Sequence, residues 1–256
     1  FAADVTYADG ADIITASAGT SNFRAGVNAG NTIESGGNYN VVVGDEAGTA
    51  ITTGDNNVAV GYAALDATTT SADNTAVGYA SLGANITGAA NTAVGSLTLD
   101  ANTTGSHNTA LGYGAMSATT TGSFSTAVGR DALGAHTTGA DNTAVGYACM
   151  QDLTTGTNNV AMGTTALANL TTTAGNTAIG KSALTSSVTG SYNTALGYLS
   201  LTACLDGGNN IAVGHNALTA NTSGGNNVAL GTNALLANTS ATGNIAVGYN
   251  CLDANT

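Results

Sequence analysis

Proline is absent from these 256 residues, and so is tryptophan. Positive charge is nearly absent too: Arg24, Arg130 and Lys181 stand against 15 Asp and Glu. The formal net charge of −12 argues against nucleic acid, or an anionic membrane, as a charge-driven partner. No run of 18 apolar residues occurs, so no transmembrane helix and no membrane insertion are expected in this segment, and no signal-peptide pattern is visible. The three cysteines, Cys149, Cys204 and Cys251, make no disulfide framework and read as buried, alanine-like thiols. Carboxylates fall near one another at Asp9 and Asp12, Asp45 and Glu46, and Asp66 and Asp73, but none has calcium-loop spacing. Phosphate-loop spacing is missing as well. The expectation is a chain with no catalytic residue, no metal and no cofactor, hence not an enzyme.

What is present is a pentapeptide. "NTAVG" at 91–95 returns as "NTALG" at 108–112, "NTAIG" at 176–180 and "NIAVG" at 244–248. The closing glycine falls every 17 residues from Gly44 to Gly248, in 13 copies without insertion or deletion. A looser copy precedes them, with Asn22, Gly26, Ala29 and Gly36 matching Asn40, Gly44, Ala47 and Gly54. A fixed short period is the signature of a solenoid. Residues 22–256 therefore read as about 14 coils, the first degenerate, and residues 1–21 as an N-terminal lead. The array breaks off inside a repeat, as expected of a segment of a longer chain. Length alone would suggest one or two globular domains, and the repeat overrides that.

Counting from the glycine as position zero, each column has its own chemistry. Position −3 is always Thr, Val or Ile, −2 is Ala except at Val42, and −1 is always Val, Leu, Ile or Met. A column that is always β-branched is a strand signal. Position +3 is small, and +4 is Leu or Met except at Gly48. Seventeen residues are too few for two packed helices and suit two short strands and two turns, one coil of a parallel β-solenoid. Val94, Leu99 and their column mates are the expected core.

Position −4 is Asn in all copies but one, Ser125. Asn57, Asn74, Asn91, Asn108, Asn142, Asn159, Asn176 and Asn193 are thus candidates for a structural ladder, one amide per coil. Position +1 holds Tyr62, Tyr79, Tyr113, Tyr147, Tyr198 and Tyr249, a candidate surface stripe that covers the coil edge or stacks on sugars. His107, His136 and His215 occupy three different repeat positions, so they line up neither as metal ligands nor as a base. Ser, Thr and Asp are so frequent that no catalytic triad can be singled out. Ala93 and Val94 are adjacent strand residues, so they face opposite ways, and both columns are apolar throughout. One face can be the coil's own core. The other needs a second cover, which argues for packing between copies, with the −1 or the +4 column at the contact.

Extended by one residue, the motif reads "NNVAVG" at 56–61, "NNVAMG" at 158–163, "NNIAVG" at 209–214 and "NNVALG" at 226–231. These resemble the head repeats of YadA-like trimeric autotransporter adhesins. The longer unit at 91–116 is similar to repeat arrays of phage tail-fibre proteins. The resemblance covers residues 40–256 and, more loosely, 22–39. It implies an all-β fold, a left-handed parallel β-roll built as a homotrimer. The coil here is longer than in most adhesin heads, and no coiled-coil stalk, anchor or chaperone domain is visible. The implied function is a structural, adhesive fibre at a virion or cell exterior, a shaft or head used in host or surface attachment. The implied partners are further copies of the chain and a host-surface glycan or protein receptor. Two alternatives accompany it: an ice-binding β-solenoid, since Thr fills the −3 column in seven copies, and a self-assembling extracellular filament. Against ice, that Thr is followed two residues later by an aliphatic residue rather than a second Thr.

Overall fold

The computed structural model describes residues 13–14, 18–186 and 189–255. It is an all-β parallel solenoid with 17-residue coils. The chain divides into two compact units, Phe1–Phe124 and Ser125–Thr256. The first holds β1 (Ile13–Ile14), β2 (Phe23–Ala25), β3 (Val41–Val43), β4 (Val58–Val60), β5 (Thr75–Val77), β6 (Thr92–Val94) and β7 (Thr109–Leu111). The second holds β8 (Thr126–Val128), β9 (Thr143–Val145), β10 (Val160–Met162), β11 (Thr177–Ile179), β12 (Thr194–Leu196), β13 (Ile211–Val213), β14 (Val228–Leu230) and β15 (Ile245–Val247).

Strand pairing follows the repeat without slippage. Thr75 lies beside Thr92, Ala76 beside Ala93 and Val77 beside Val94, and β10 and β11 repeat the pattern with Val160, Ala161 and Met162 against Thr177, Ala178 and Ile179. The exception to parallel order is β1, which runs antiparallel to β2. Of the rest of the expected lead, residues 1–12 and 15–17 fall outside the described residues, and Thr20 N–H donates to Asn38 Oδ1 at 2.8 Å.

The core is narrow, and the sequence columns name it. Ala93 at −2 and Leu99 at +4 are both fully buried, as are Ala161 and Leu167 in the second unit to within 1%. The −1 column does not join them. Val94 is half-buried, and Met162 and Leu196 are 50% and 44% exposed. Strand alternation explains the correction: with −2 inward, −3 and −1 must both point outward.

Each coil also has one three-residue strand, not two. The reason lies at +2 and +4, where the backbone is left-handed in residues that are not glycine. Ala80 and Leu82 have φ of 50° and 51°, and Thr165 and Leu167 have 54° and 52°. Two such residues bend the chain away from extended geometry. Each costs roughly 1–2 kcal/mol, and at +4 full burial of the leucine side chain, about 1.5–3 kcal/mol, offsets that residue's own strain. Coil-to-coil bonding continues through the bend: Leu82 N–H donates to Thr98 at 3.0 Å and Ala80 N–H to Tyr62 at 2.9 Å. The glycine at zero is required by close approach. At Gly146 φ is 140°, and a β-carbon there would lie 2.6 Å from the Gly163 carbonyl oxygen.

Candidate functional site

The surface that could act on anything is set by what the coil turns outward. The strand face carries −3 and −1, which are uncharged in every one of the 13 regular copies. In a chain of net charge −12 this outward strip carries no acid. Parallel sheets are ordinarily covered on both faces. Here the inner face packs on the coil's own leucines, while Val160, Met162, Ile179, Leu196, Ile211 and Leu230 stand exposed on the outer one.

Behind that face runs the asparagine ladder. The Asn57 Oδ1 accepts the Asn74 backbone N–H at 3.1 Å, and its Nδ2 donates to the Ser71 carbonyl at 3.0 Å. The Asn74 and Asn91 side chains repeat both bonds, to Gly88 and Gly105 respectively. Asn108 donates to Gly122 at 2.8 Å. In the second unit Asn142, Asn159, Asn176 and Asn193 do the same, and Asn210 and Asn227 extend the run. These side chains are buried at 0% exposure, and each satisfies backbone groups that would otherwise be buried unpaired. Their arrangement is structural, with no amide left facing a ligand.

The tyrosines of +1 are all exposed. Tyr62 and Tyr79 stack with centroids 5.7 Å apart, and Tyr198 stacks on His215 at 5.5 Å. The Arg130 guanidinium lies over the Tyr147 ring at 5.9 Å while its Nε pairs with Asp131 at 3.1 Å. Rings that stack along the coil axis cover one face of each other, so each keeps its edge, its polar group and at most one face for solvent. That geometry disfavours sugar stacking at those three places. The Glu46 carboxylate, through a hydrogen bond and its charge, holds the Tyr62 hydroxyl above the ordinary phenol pKa.

Two features escaped the sequence reading. A second aromatic column stands at −5, where His107 and Phe124 stack at 5.0 Å and Tyr39 and Tyr192 are exposed. Its signal was weak because Asn, Asp, Ala and Gly fill the other levels. Position +7 points inward and carries its own short amide ladders: Asn102 Nδ2 donates to Asn85 Oδ1 at 2.8 Å, and Asn238 Nδ2 to Asn221 Oδ1 at 2.9 Å. His136 occupies the same position, fully buried, with Asn142 Nδ2 3.5 Å from its Nε2, and burial pushes its pKa down to about 4. The three histidines remain at separate levels, two of them in aromatic stacks.

Asp66 and Asp73 are engaged separately. Asp66 accepts the Thr49 hydroxyl, and Asp73 accepts from Asn56 at 3.3 Å. Asp9 and Asp12 lie outside the described residues. Among the described residues no group of three or more His, Cys, Asp or Glu is placed to hold a metal, and no helix is long and apolar enough to cross a membrane. Cys149 and Cys204 are buried free thiols, and Cys251 is partly exposed. No known family model matches the chain, and no curated protein matches it significantly.

Proposed function

We propose that the chain is the shaft or head of an extracellular or virion-surface fibre, a structural and adhesive element that assembles as a homotrimer. The observation that carries this reading is the outward −3/−1 face, aliphatic at −1, uncharged at both positions and uncovered among the described residues. The +4 column is consumed by the coil's own core, so the contact between copies falls on −1 together with −3. Each coil adds the same small strip, so the interface grows with the array as a fibre requires. The left-handed sense and threefold assembly follow the adhesin-like motif. Loops on a rigid scaffold are where recognition sits. The turns here are short, so contact with a host glycan or protein is weak per coil and gains strength by repetition.

Light scattering at micromolar concentration tests the assembly, with trimer expected for the unmodified chain. Val94→Glu and Met162→Glu place charge on the outward face, where a single folded chain tolerates it, and should shift the population towards monomer without loss of β-sheet signal. A stable monomer of the unmodified chain would sink the proposal. A glycan array should show little binding by a single particle.

One observation favours the ice-binding alternative. Thr75, Thr92 and Thr109 stand in register, one per coil, on the outward face. A thermal-hysteresis measurement decides it, and the aliphatic −1 column beside those threonines argues for no activity.

A further inference from the structure

Arg130 shows how this fold receives a guanidinium group. It stands at +1 of its coil, Asp131 follows at +2, and Tyr147 is the +1 residue of the next coil. The guanidinium touches both, with Nε 3.1 Å from Asp131 Oδ2 and the central carbon 5.9 Å from the ring centroid. The backbone frame there is defined by Ala148 N–H donating to the Arg130 carbonyl at 3.0 Å and by φ of 55° at Asp131.

The first unit repeats that frame with the cation left out. Asp45, Glu46 and Tyr62 occupy the three corresponding positions. Ala63 N–H donates to the Asp45 carbonyl at 3.1 Å, and φ at Glu46 is again 55°. The acid at +2 and the ring are kept, while a carboxylate stands where Arg130 stood. Asp45 is exposed, Tyr62 is 47% exposed, and no ion pair to Asp45 or Glu46 occurs among the described residues. Tyr79 stacks on one face of Tyr62, so the other face is turned to the level of Asp45.

We propose that Asp45, Glu46 and Tyr62 form a docking site for a guanidinium group, the arginine side chain of a cationic protein partner. The guanidinium lies over the ring as Arg130 lies over Tyr147, and it meets two carboxylates instead of one. Arginine suits this place better than lysine, because its fork donates to carboxylates while its weakly hydrated plane lies on an aromatic face. The acidic chain, with three cations of its own against 15 carboxylates, steers a basic segment towards it. The carboxylates alone would not make a site. The occupied equivalent at Arg130 supplies the ligand chemistry, and it does so independently of assembly through the strand face.

The test is titration of the whole chain with tetra-arginine and tetra-lysine peptides at physiological salt, followed by calorimetry and by the Tyr62 ring resonances. Tetra-arginine should bind about fivefold tighter than tetra-lysine, the ratio a surface cation–π contact supplies, and should shift Tyr62. Tyr62→Leu should erase that preference while leaving residual charge-driven binding. Asp45→Arg should abolish binding with melting unchanged, since the chain then fills the site itself as Arg130 does. Equal affinity for the two peptides, an unmoved Tyr62, or undiminished binding to Asp45→Arg would overturn the proposal and leave only general acidity.

Discussion

Replacing Asn159 by alanine should cost more than any exposed substitution of similar size. The side chain is fully buried. Its Oδ1 accepts the Asn176 backbone N–H at 3.0 Å, and its Nδ2 donates to the Thr173 carbonyl at 2.9 Å and to Asn142 Oδ1 at 3.1 Å. Its own N–H still reaches Asn142 Oδ1 after the change. Alanine therefore strands one buried N–H and one buried carbonyl. Each unpaired group costs roughly 1–3 kcal/mol, so the total is about 2–6 kcal/mol. The chain carries its own control at Ser125, whose Oγ accepts the Asn142 N–H at 3.2 Å. Asn159→Ser should likewise keep the acceptor for Asn176 and leave only the Thr173 carbonyl unpaired, at about 1–3 kcal/mol. Urea unfolding measures both losses, and amide exchange at Asn176 reports the local one. The reasoning fails if alanine costs under about 1 kcal/mol, or if serine is no better than alanine.

Leu167→Asp should cripple folding by several kcal/mol, because it puts an unpaired charge in the fully buried +4 column, while Thr171→Asp in the half-exposed turn is tolerated. Equal melting of the two variants would show the inside and outside columns to be misassigned. His136 titrates at about 4 in the folded chain against 6.5 unfolded, because burial disfavours the imidazolium. The unfolded chain thus binds the extra proton in that window. Stability from this residue is full above about pH 6.5 and falls, by about 3 kcal/mol in all, as pH drops towards 4. His136→Leu, which puts there the residue found at the same repeat position as Leu153 and Leu170, should flatten that part of the acid-denaturation profile. Burial also raises the Cys149 thiol to about 12 and Cys204 to about 11, so a maleimide should label partly exposed Cys251 well before either. Equal labelling rates in the folded chain would contradict that burial.

The period, the parallel all-β coil and most of the core were legible in the letters, because stacking identical coils puts one position at one level and demands the same chemistry of every copy. The Ala column, the Leu column and the need for −4 amides all express that constraint. Sequence also exposed the surplus apolar column, since a three-residue strand cannot hide both faces. Which face turns inward was a different matter. Both were apolar, and only the full burial of Ala93 together with Leu99 placed Val94 outside. The single strand per coil was equally hidden. Leucine has no local preference for positive φ, and it adopts that backbone at +4 because burial offsets the strain, a balance struck between coils rather than within a segment. The same holds for the +1 column. Its tyrosines were visible as a stripe, but whether rings open to solvent or close on one another depends on the neighbouring level. Tertiary structure alone set Tyr62 on Tyr79, Arg130 over Tyr147, and Asp45 and Glu46 beside a ring without a cation, because those contacts join residues 16 or 17 apart whose side chains share one short gap between coils.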